Sequence, residues 1–581
     1  MKLRTKYAES LDRSSPLAEY PRPQLKRDSY ISLNGYWDYS SVAEGAEPCF
    51  DRKILVPFPP ESALSEIEES PERDFDVYYR RTFSLPDGFL KSRLMLHFGA
   101  VDQISTLYIN GCKVGTHEGG YLPFSFDITD FLSEGENEII LKVKDSLSHL
   151  YPYGKQRYNR GGMWYTPVSG IWQTVWLESL PENFISSLKT ESDTKTAKIT
   201  IIGGSGKMRL TLEDSGECFY SEDGVFTVTL ENPEVWTPEN PKLYSYIIES
   251  DTDRIESYFA LRTVSIGEAG GRPRILLNGS PYLFNGLLDQ GYFPDGIFTP
   301  ASYKAYEDDI LTAKALGFNM LRKHIKVEPA IFYYLCDRLG IAVFQDMVNN
   351  SDYSFFRDTA LPTAGLKHIP DRHLHKNELS RKFFIKYSED TINCLSHFPC
   401  VVYYTIFNEG WGQFNADEVY SKLKRLDETR IFDATSGWFT QRQSDVDSRH
   451  VYFKKLKAKD NYKKPLVISE FGGYSHRVDG HLFSEKNYGY KSFKAQADFA
   501  DAVEKLYLYE VLPLVKIGVS ALVYTQISDV EDETNGFITY DRRILKISPE
   551  RMKKIAEALY IESEGSDKNP RKNRRNARKQ K

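Results

Sequence analysis

Cysteine is scarce in this chain. The six in 581 residues, at positions 49, 112, 218, 336, 394 and 400, form no C-x-x-C pair and no ligand-like spacing with histidine. That pattern excludes a disulfide framework and a zinc site, and it fits free thiols in a reducing compartment. No stretch approaches the 18 or so consecutive apolar residues of a membrane-spanning helix. The opening MKLRTKYAESLDRSSPLAEYPRP lacks the apolar core of a secretion signal, so a cytoplasmic location is expected, with no membrane partner. A basic surplus is also missing. Lys and Arg number 75 against 81 Asp and Glu, and the last sixteen residues hold eight of the cations. The remaining body is more acidic still, which excludes nucleic acid as the main partner, because phosphate binding needs a basic face.

Aromatic residues are plentiful, with 38 Tyr, 34 Phe and 7 Trp. Tyr in this number exceeds what a core needs, since a buried hydroxyl wants a partner. Residues 20–178 alternate short apolar runs with Gly, Pro, Asn and Asp, as in VYYRRTFSL (77–85) and NEIILKVKD (137–145). This predicts an all-β jelly roll over 1–180. Residues 181–267 continue in about seven shorter strands, as expected for an immunoglobulin-like sandwich. From 268 the pattern changes to alternating strands and amphipathic helices. Eight strands are predicted, at 282–289, 318–324, 341–346, 401–409, 431–438, 450–453, 466–471 and 521–529. Helices are predicted at 302–317 and 491–518. Eight such repeats in under 300 residues predict a TIM (β/α)8 barrel over 268–565. The fold class is thus multidomain, two β domains followed by an α/β barrel. Residues 566–581 read as a disordered basic tail.

In a barrel, chemistry gathers at the C-terminal ends of the strands. Two glutamates stand there, Glu409 after the fourth strand and Glu470 in the seventh. From facing strands they can bring carboxyls to about 5–5.5 Å, the separation of a retaining glycosidase. One must carry a proton for the leaving oxygen and the other must be ionised to attack the anomeric carbon. The long segments 347–378 and 472–490 are expected to shape the mouth.

FNEGWGQF (407–414) and VISEFGGYS (467–475) resemble the acid/base and nucleophile motifs of glycoside hydrolase family 2, the family of β-galactosidase, β-glucuronidase and β-mannosidase. LNGYWDYS (33–40), VYYRRTF (77–83) and GIWQTVWLE (170–178) are similar to its sugar-binding jelly roll. VWTPENPKLYSYIIE (235–249) resembles its immunoglobulin-like domain, and LDQGYFPDG (288–296) and GFNMLRKHIKVEP (317–329) resemble its first two barrel strands. The resemblance covers roughly residues 20–560. It implies a retaining exo-β-glycosidase, β-galactosidase-like, with Glu470 as nucleophile and Glu409 as acid/base. Asn408 then contacts the sugar 2-hydroxyl, His324 faces the sugar, and Tyr452 lies near the nucleophile. Trp438 is a candidate sugar platform, and Asp289, Asp346 and Asp529 are candidates for sugar hydroxyls, each equally suited to backbone groups at the mouth. Trp164 is a candidate to approach from the jelly roll.

Two departures limit the resemblance. Where the family's β-glucuronidases carry an Asn-x-Lys motif for the sugar carboxylate, this chain reads Glu533-Thr534-Asn535, without lysine. That counts against a glucuronide. The chain also ends after the barrel, so the metal dependence of the large β-galactosidases is not carried over, and no metal or cofactor is expected. A carbohydrate is the expected partner, and a homo-oligomer is compatible with the sequence. The alternative is a non-catalytic carbohydrate-binding protein on the same fold, because function lives in the site and not in the fold.

Overall fold

The computed structural model describes residues 3–363, 370–457 and 462–568. The N-terminal domain packs two antiparallel sheets face to face. One has six strands in the order Arg52–Val56, Gly35–Ala43, Phe75–Ser84, Glu136–Lys144, Ile104–Ile109 and Cys112–Glu118. The other has four: Tyr30–Ser32, Val175–Leu180, Arg93–Phe98 and Phe124–Asp127. Alternation sets the core. In Glu136–Lys144 every second side chain, Asn137, Ile139, Leu141 and Val143, points inward and is buried. The second domain also has two antiparallel sheets, of three and four strands, built from Ile185 to Phe259. Its seven strands match the number expected.

All eight predicted barrel strands form. They are β1 (Phe284–Asp289), β2 (Met320–Lys323), β3 (Ala342–Asp346), β4 (Val401–Asn408), β5 (Ile431–Ser436), β6 (Asp447–Val451), β7 (Leu466–Gly472) and β8 (Ala521–Thr525). Seven seams are parallel ladders, and the ring is nearly closed where β5 and β6 lie side by side. Buried on both faces, a strand such as β4, VVYYTIFN, is apolar almost throughout. Helix Lys304–Ala315 ends at Leu316 and is followed by Gly317 at φ +87°, the left-handed turn that glycine permits at a helix end. Asn377 opens helix Glu378–Leu395 by accepting the Ser380 N–H at 3.1 Å.

Three expectations are corrected. The boundary at 267 falls inside strand Val264–Ala269, whose hairpin partner is Arg272–Leu277. Residues 491–493 form a short strand paired with Tyr474–His476, so the helix begins only at Gln496. Helix Pro549–Lys568 takes in the first three residues of the expected tail, anchored by an ion pair between Asp567 and the buried Arg274. Residues 569–581 lie outside the described residues.

The domains are tied to the barrel by buried polar groups. Tyr387 on the barrel accepts the N–H groups of Tyr121 and Leu122 from the jelly roll, at 2.8 and 3.2 Å. At the opposite end Arg262 donates to the carbonyls of Pro399, Thr429 and Val401 at 3.0–3.1 Å. Its guanidinium is buried and serves acceptors that have no water to turn to. Arg262→Ala should therefore lower stability by about 2–4 kcal/mol, because the Pro399 and Thr429 carbonyls lose their donor together, while Val401 keeps Arg430. Calorimetry should show the melting temperature falling by several degrees, while an exposed control such as Arg13→Ala changes it little.

Candidate active site

Glu409 is the first residue past β4. It adopts φ +52°, and Gly410 follows at φ +75°. A non-glycine residue in the left-handed region is strained, and here the turn swings the carboxylate off the strand line into the mouth. The turn is held by the Glu409 N–H on the Ser436 carbonyl, 2.9 Å, and by the Trp411 N–H on the Asn408 carbonyl, 2.9 Å. A side chain at 410 would strike the Phe439 ring, so the glycine is required. Glu470 is aimed by a different device. The ladders of β7 with both β6 and β8 shift register at Ser469–Glu470, a bulge that re-aims the side chain.

Arg322, from β2, is the hub. Its Nε donates to Asp346 Oδ1 at 2.9 Å, and its Nη1 donates to the Ser469 carbonyl at 2.9 Å and to Glu470 Oε1 at 3.0 Å. Its Nη2 donates to Asn408 Oδ1 at 2.8 Å. Since a guanidinium only donates, the Asn408 amide must turn its oxygen to Arg322 and its NH2 away. The other oxygen of Asp346 meets His324 Nδ1 at 2.6 Å. The other oxygen of Glu470 accepts the Tyr452 hydroxyl. Burial holds His324 neutral, down to about 4, and the charge of Lys155 adds to the effect. Burial also works to raise Glu470, but His450, Arg322 and His324 together with the Tyr452 hydroxyl outweigh it and bring the carboxyl down to about 2.

His450 joins the two acids. Its Nδ1 lies 2.7 Å from Glu409 Oε1 and 3.5 Å from Glu470 Oε2, and its Nε2 lies 3.0 Å from Ser436 Oγ. A carboxylate oxygen of each glutamate and an imidazole nitrogen thus fall within 4.8 Å of one another. Two carboxylates and an imidazole can hold a divalent cation. Here, however, the Arg322 guanidinium already occupies one oxygen of Glu470 and would repel one, and the Tyr452 hydroxyl occupies the other.

The structure brings Glu409, Glu470, Asn408, Tyr452, His324 and Asp346 into one connected set. Trp438 stands half-buried beside it, 6.4 Å from the His450 ring. Asp289 and Asp529 are held elsewhere. Asp289 takes Lys323 at 2.6 Å and the Gly291 N–H at 2.9 Å, and Asp529 takes Lys546 at 2.6 Å and the Gly536 N–H at 2.8 Å. Both serve the barrel wall, the bland alternative to sugar binding. Trp164 does reach the mouth, stacked at 5.3 Å on Trp411 and set edge-on at 5.0 Å against Tyr353 of the long 347–378 segment. The segment 472–490 supplies Tyr490, stacked at 3.8 Å on Tyr452. Neither Arg322 nor His450 was assigned a role from the sequence. The available signal was strand periodicity, since in β6 alternate residues Ser448 and His450 face inward.

Paired carboxylates at the mouth of a (β/α)8 barrel behind two β domains define a glycoside-hydrolase architecture. The chain matches the sugar binding domain of glycosyl hydrolases family 2 over residues 30–181 and that family's TIM barrel domain over residues 273–544. It belongs to this family. A β-galactosidase of Kluyveromyces lactis is 24% identical over 544 residues, covering 82% of this chain and 51% of that protein. A β-galactosidase of Thermoanaerobacter pseudethanolicus is 26% identical over 302 residues, covering 47% of this chain and 39% of that one. The chain thus spans about half the length of these relatives or less. A solved β-D-glucuronidase of Dictyoglomus thermophilum shares the fold at TM-score 0.70 and 18% identity, covering 94% of this chain and 98% of that one. No helix among the described residues is long and apolar enough to cross a membrane.

The depressed Glu470 carboxyl has a consequence for stability. Its folded value near 2 lies below the ordinary glutamate value of about 4.3. The stability its ionisation contributes is therefore fully present above about pH 4.3 and is lost as pH falls toward 2. Denaturant midpoints of the wild type should fall relative to those of Glu470→Gln across that interval. Parallel curves would show that Glu470 is not held ionised.

Proposed function

We propose that the protein is a retaining exo-β-glycosidase, with Glu470 as nucleophile and Glu409 as acid/base. The observation that carries this is the two carboxyls facing each other across one mouth, with oxygens within 4.8 Å and unlike surroundings. That closeness favours the carboxyl separation of a retaining enzyme, about 5–5.5 Å, over the roughly 6.5–9.5 Å of an inverting one. Glu470, fixed by Arg322 and Tyr452, is held as the carboxylate that attacks the anomeric carbon. As the C–O bond to the leaving group breaks, Glu409 gives its proton to the departing oxygen. Water then adds to the anomeric carbon of the glycosyl ester, with Glu409 taking the proton and Glu470 leaving.

The hydrogen-bond chain behind His450 supports the starting protonation. Ser469 donates to the Arg449 carbonyl at 3.4 Å, and Ser436 donates to Ser469 at 2.9 Å. Ser436 is thus left to accept from His450 Nε2–H. The proton that Glu409 delivers to the leaving oxygen then lies in the 2.7 Å bond to His450 Nδ1. Asn408, its NH2 turned from Arg322, is placed to donate to a sugar 2-hydroxyl. The β-galactosidases among the relatives make β-galactosides the first substrates to assay.

Glu470→Gln should lose activity by several orders of magnitude, and an activated fluoro-sugar should label Glu470 in the wild type. Proton NMR should show the first product with the β configuration of the substrate. An inverted product would remove the assignment, and absence of turnover on every nitrophenyl glycoside would favour a binding protein. Glu409→Ala should impair substrates with poor leaving groups far more than nitrophenyl ones, which need little protonation. Azide should restore its second step and yield a β-glycosyl azide. Equal loss on all leaving groups, without that product, would show that Glu409 is not the acid/base.

A further inference from the structure

Lys155 belongs to the jelly roll yet ends in the barrel mouth. The segment carrying it is pinned to the loop after β3, where the N–H groups of Tyr153 and Gly154 reach the Asn349 carbonyl at 3.0 and 3.4 Å. The side chain is 7% exposed, and its ammonium lies 5.5 Å from the Tyr165 ring and 5.7 Å from the Trp411 ring. Trp411 is two residues beyond Glu409, so the cation hangs over the acid/base turn. Among the described residues, no carboxylate comes within ion-pair distance of it. Aromatic faces attract a cation but accept no ordinary hydrogen bond, so three N–H donors are left facing the pocket.

Glu533 is the acid nearby. Its Oε2 accepts from Gln526 Nε2 at 2.8 Å and from Asn535 Nδ2 at 3.4 Å. Burial raises its carboxyl, and Lys155 is the foremost group opposing that rise. The same cation acts on His324. Lys155 therefore lies near both, with the Tyr165 ring 5.5 Å from its ammonium.

We propose that Lys155 and Glu533 form a donor–acceptor pair that reads hydroxyl groups of an uncharged sugar in the catalytic pocket. This rests on the glycosidase function proposed above and specifies its substrate. A sugar hydroxyl both donates and accepts, so it can take the Lys155 N–H and give its own proton to Glu533. At C6 a uronate offers acceptors only. It would also bring a third carboxylate beside Glu470 and Glu533, while Arg322 is already engaged by Asp346 and Glu470. The ring edge at C2 is left to Asn408, so the hydroxyl read by Lys155 is that on C3, C4 or C6.

The test compares wild type, Lys155→Met and Lys155→Gln, with melting temperatures as a check on folding. The substrates are the neutral nitrophenyl β-glycoside that the wild type cleaves fastest, its 3-, 4- and 6-deoxy analogues, and the β-glucuronide. Lys155→Met should lower kcat/KM about 10- to 100-fold on the parent glycoside, with Lys155→Gln between. One deoxy analogue should cost the wild type a similar factor and the Met variant almost nothing, which a purely structural role would not produce. Equal sensitivity of both enzymes to all three deoxy analogues overturns the proposal, as does a wild-type preference for the glucuronide. Labelling of Glu470 by the fluoro-sugar tests the glycosidase function separately. A labelled wild type whose turnover Lys155→Met leaves within twofold keeps that function and removes Lys155 from it, and an inert, unlabelled wild type removes both.

Discussion

A single buried guanidinium holds the barrel mouth together. Arg322 stands on β2 and binds acceptors on β3, β4 and β7, so three neighbouring or facing strands are referenced to one planar group. Burying such a cation is costly unless every donor direction is served. Here the directions are served by carboxylates, a carbonyl and an amide at the barrel mouth. The guanidinium ionises Glu470, orients Asn408 and, through Asp346, fixes one nitrogen of His324. Lysine in its place would supply the charge without the planar fork, and the four acceptors would lose their common reference.

Around that hub the two glutamates are treated unequally. Glu470 receives Arg322 and Tyr452 on separate oxygens, and such donors favour the ionised form. Glu409 is held by one imidazole, whose outer nitrogen is committed to a serine relay ending on a carbonyl. The unlike settings of two chemically identical side chains thus come from the donors and acceptors brought to each. The left-handed turn at Glu409 and the bulge at Glu470 are the backbone devices that let both face the same space.

Much of this was legible in the sequence because it rests on local pattern. Period-two alternation marked the β domains, and continuous apolar runs ended by polar residues marked the eight barrel strands. Both motif glutamates could be placed at strand ends. What escaped depends on contacts distant in sequence. His450 is 41 residues from Glu409, and nothing in HVYF says that its ring will sit between two carboxyls. Asp289 and Asp529 had the right position for sugar contacts, but Lys323 and Lys546 neutralise them, and ion pairing across strands leaves no local trace. Strand 264–269 hid the domain boundary because a hairpin can straddle a change of architecture.

The jelly roll is more than an appendage to this site. Its core is continuous with that of the barrel through Trp164, Tyr165 and Trp172, so the two bury apolar surface in common. Trp164 and Tyr165 extend that shared core to the mouth, where Trp411 and Tyr353 from barrel loops complete an aromatic wall. Stacked rings of this kind keep water from a pocket while offering flat apolar faces to a sugar ring. A barrel alone would leave the turn at Glu409–Trp411 open on that side. With the wall in place the low-dielectric surroundings strengthen every bond of the Arg322 network, which ties the order of the mouth to the docking of a separate domain.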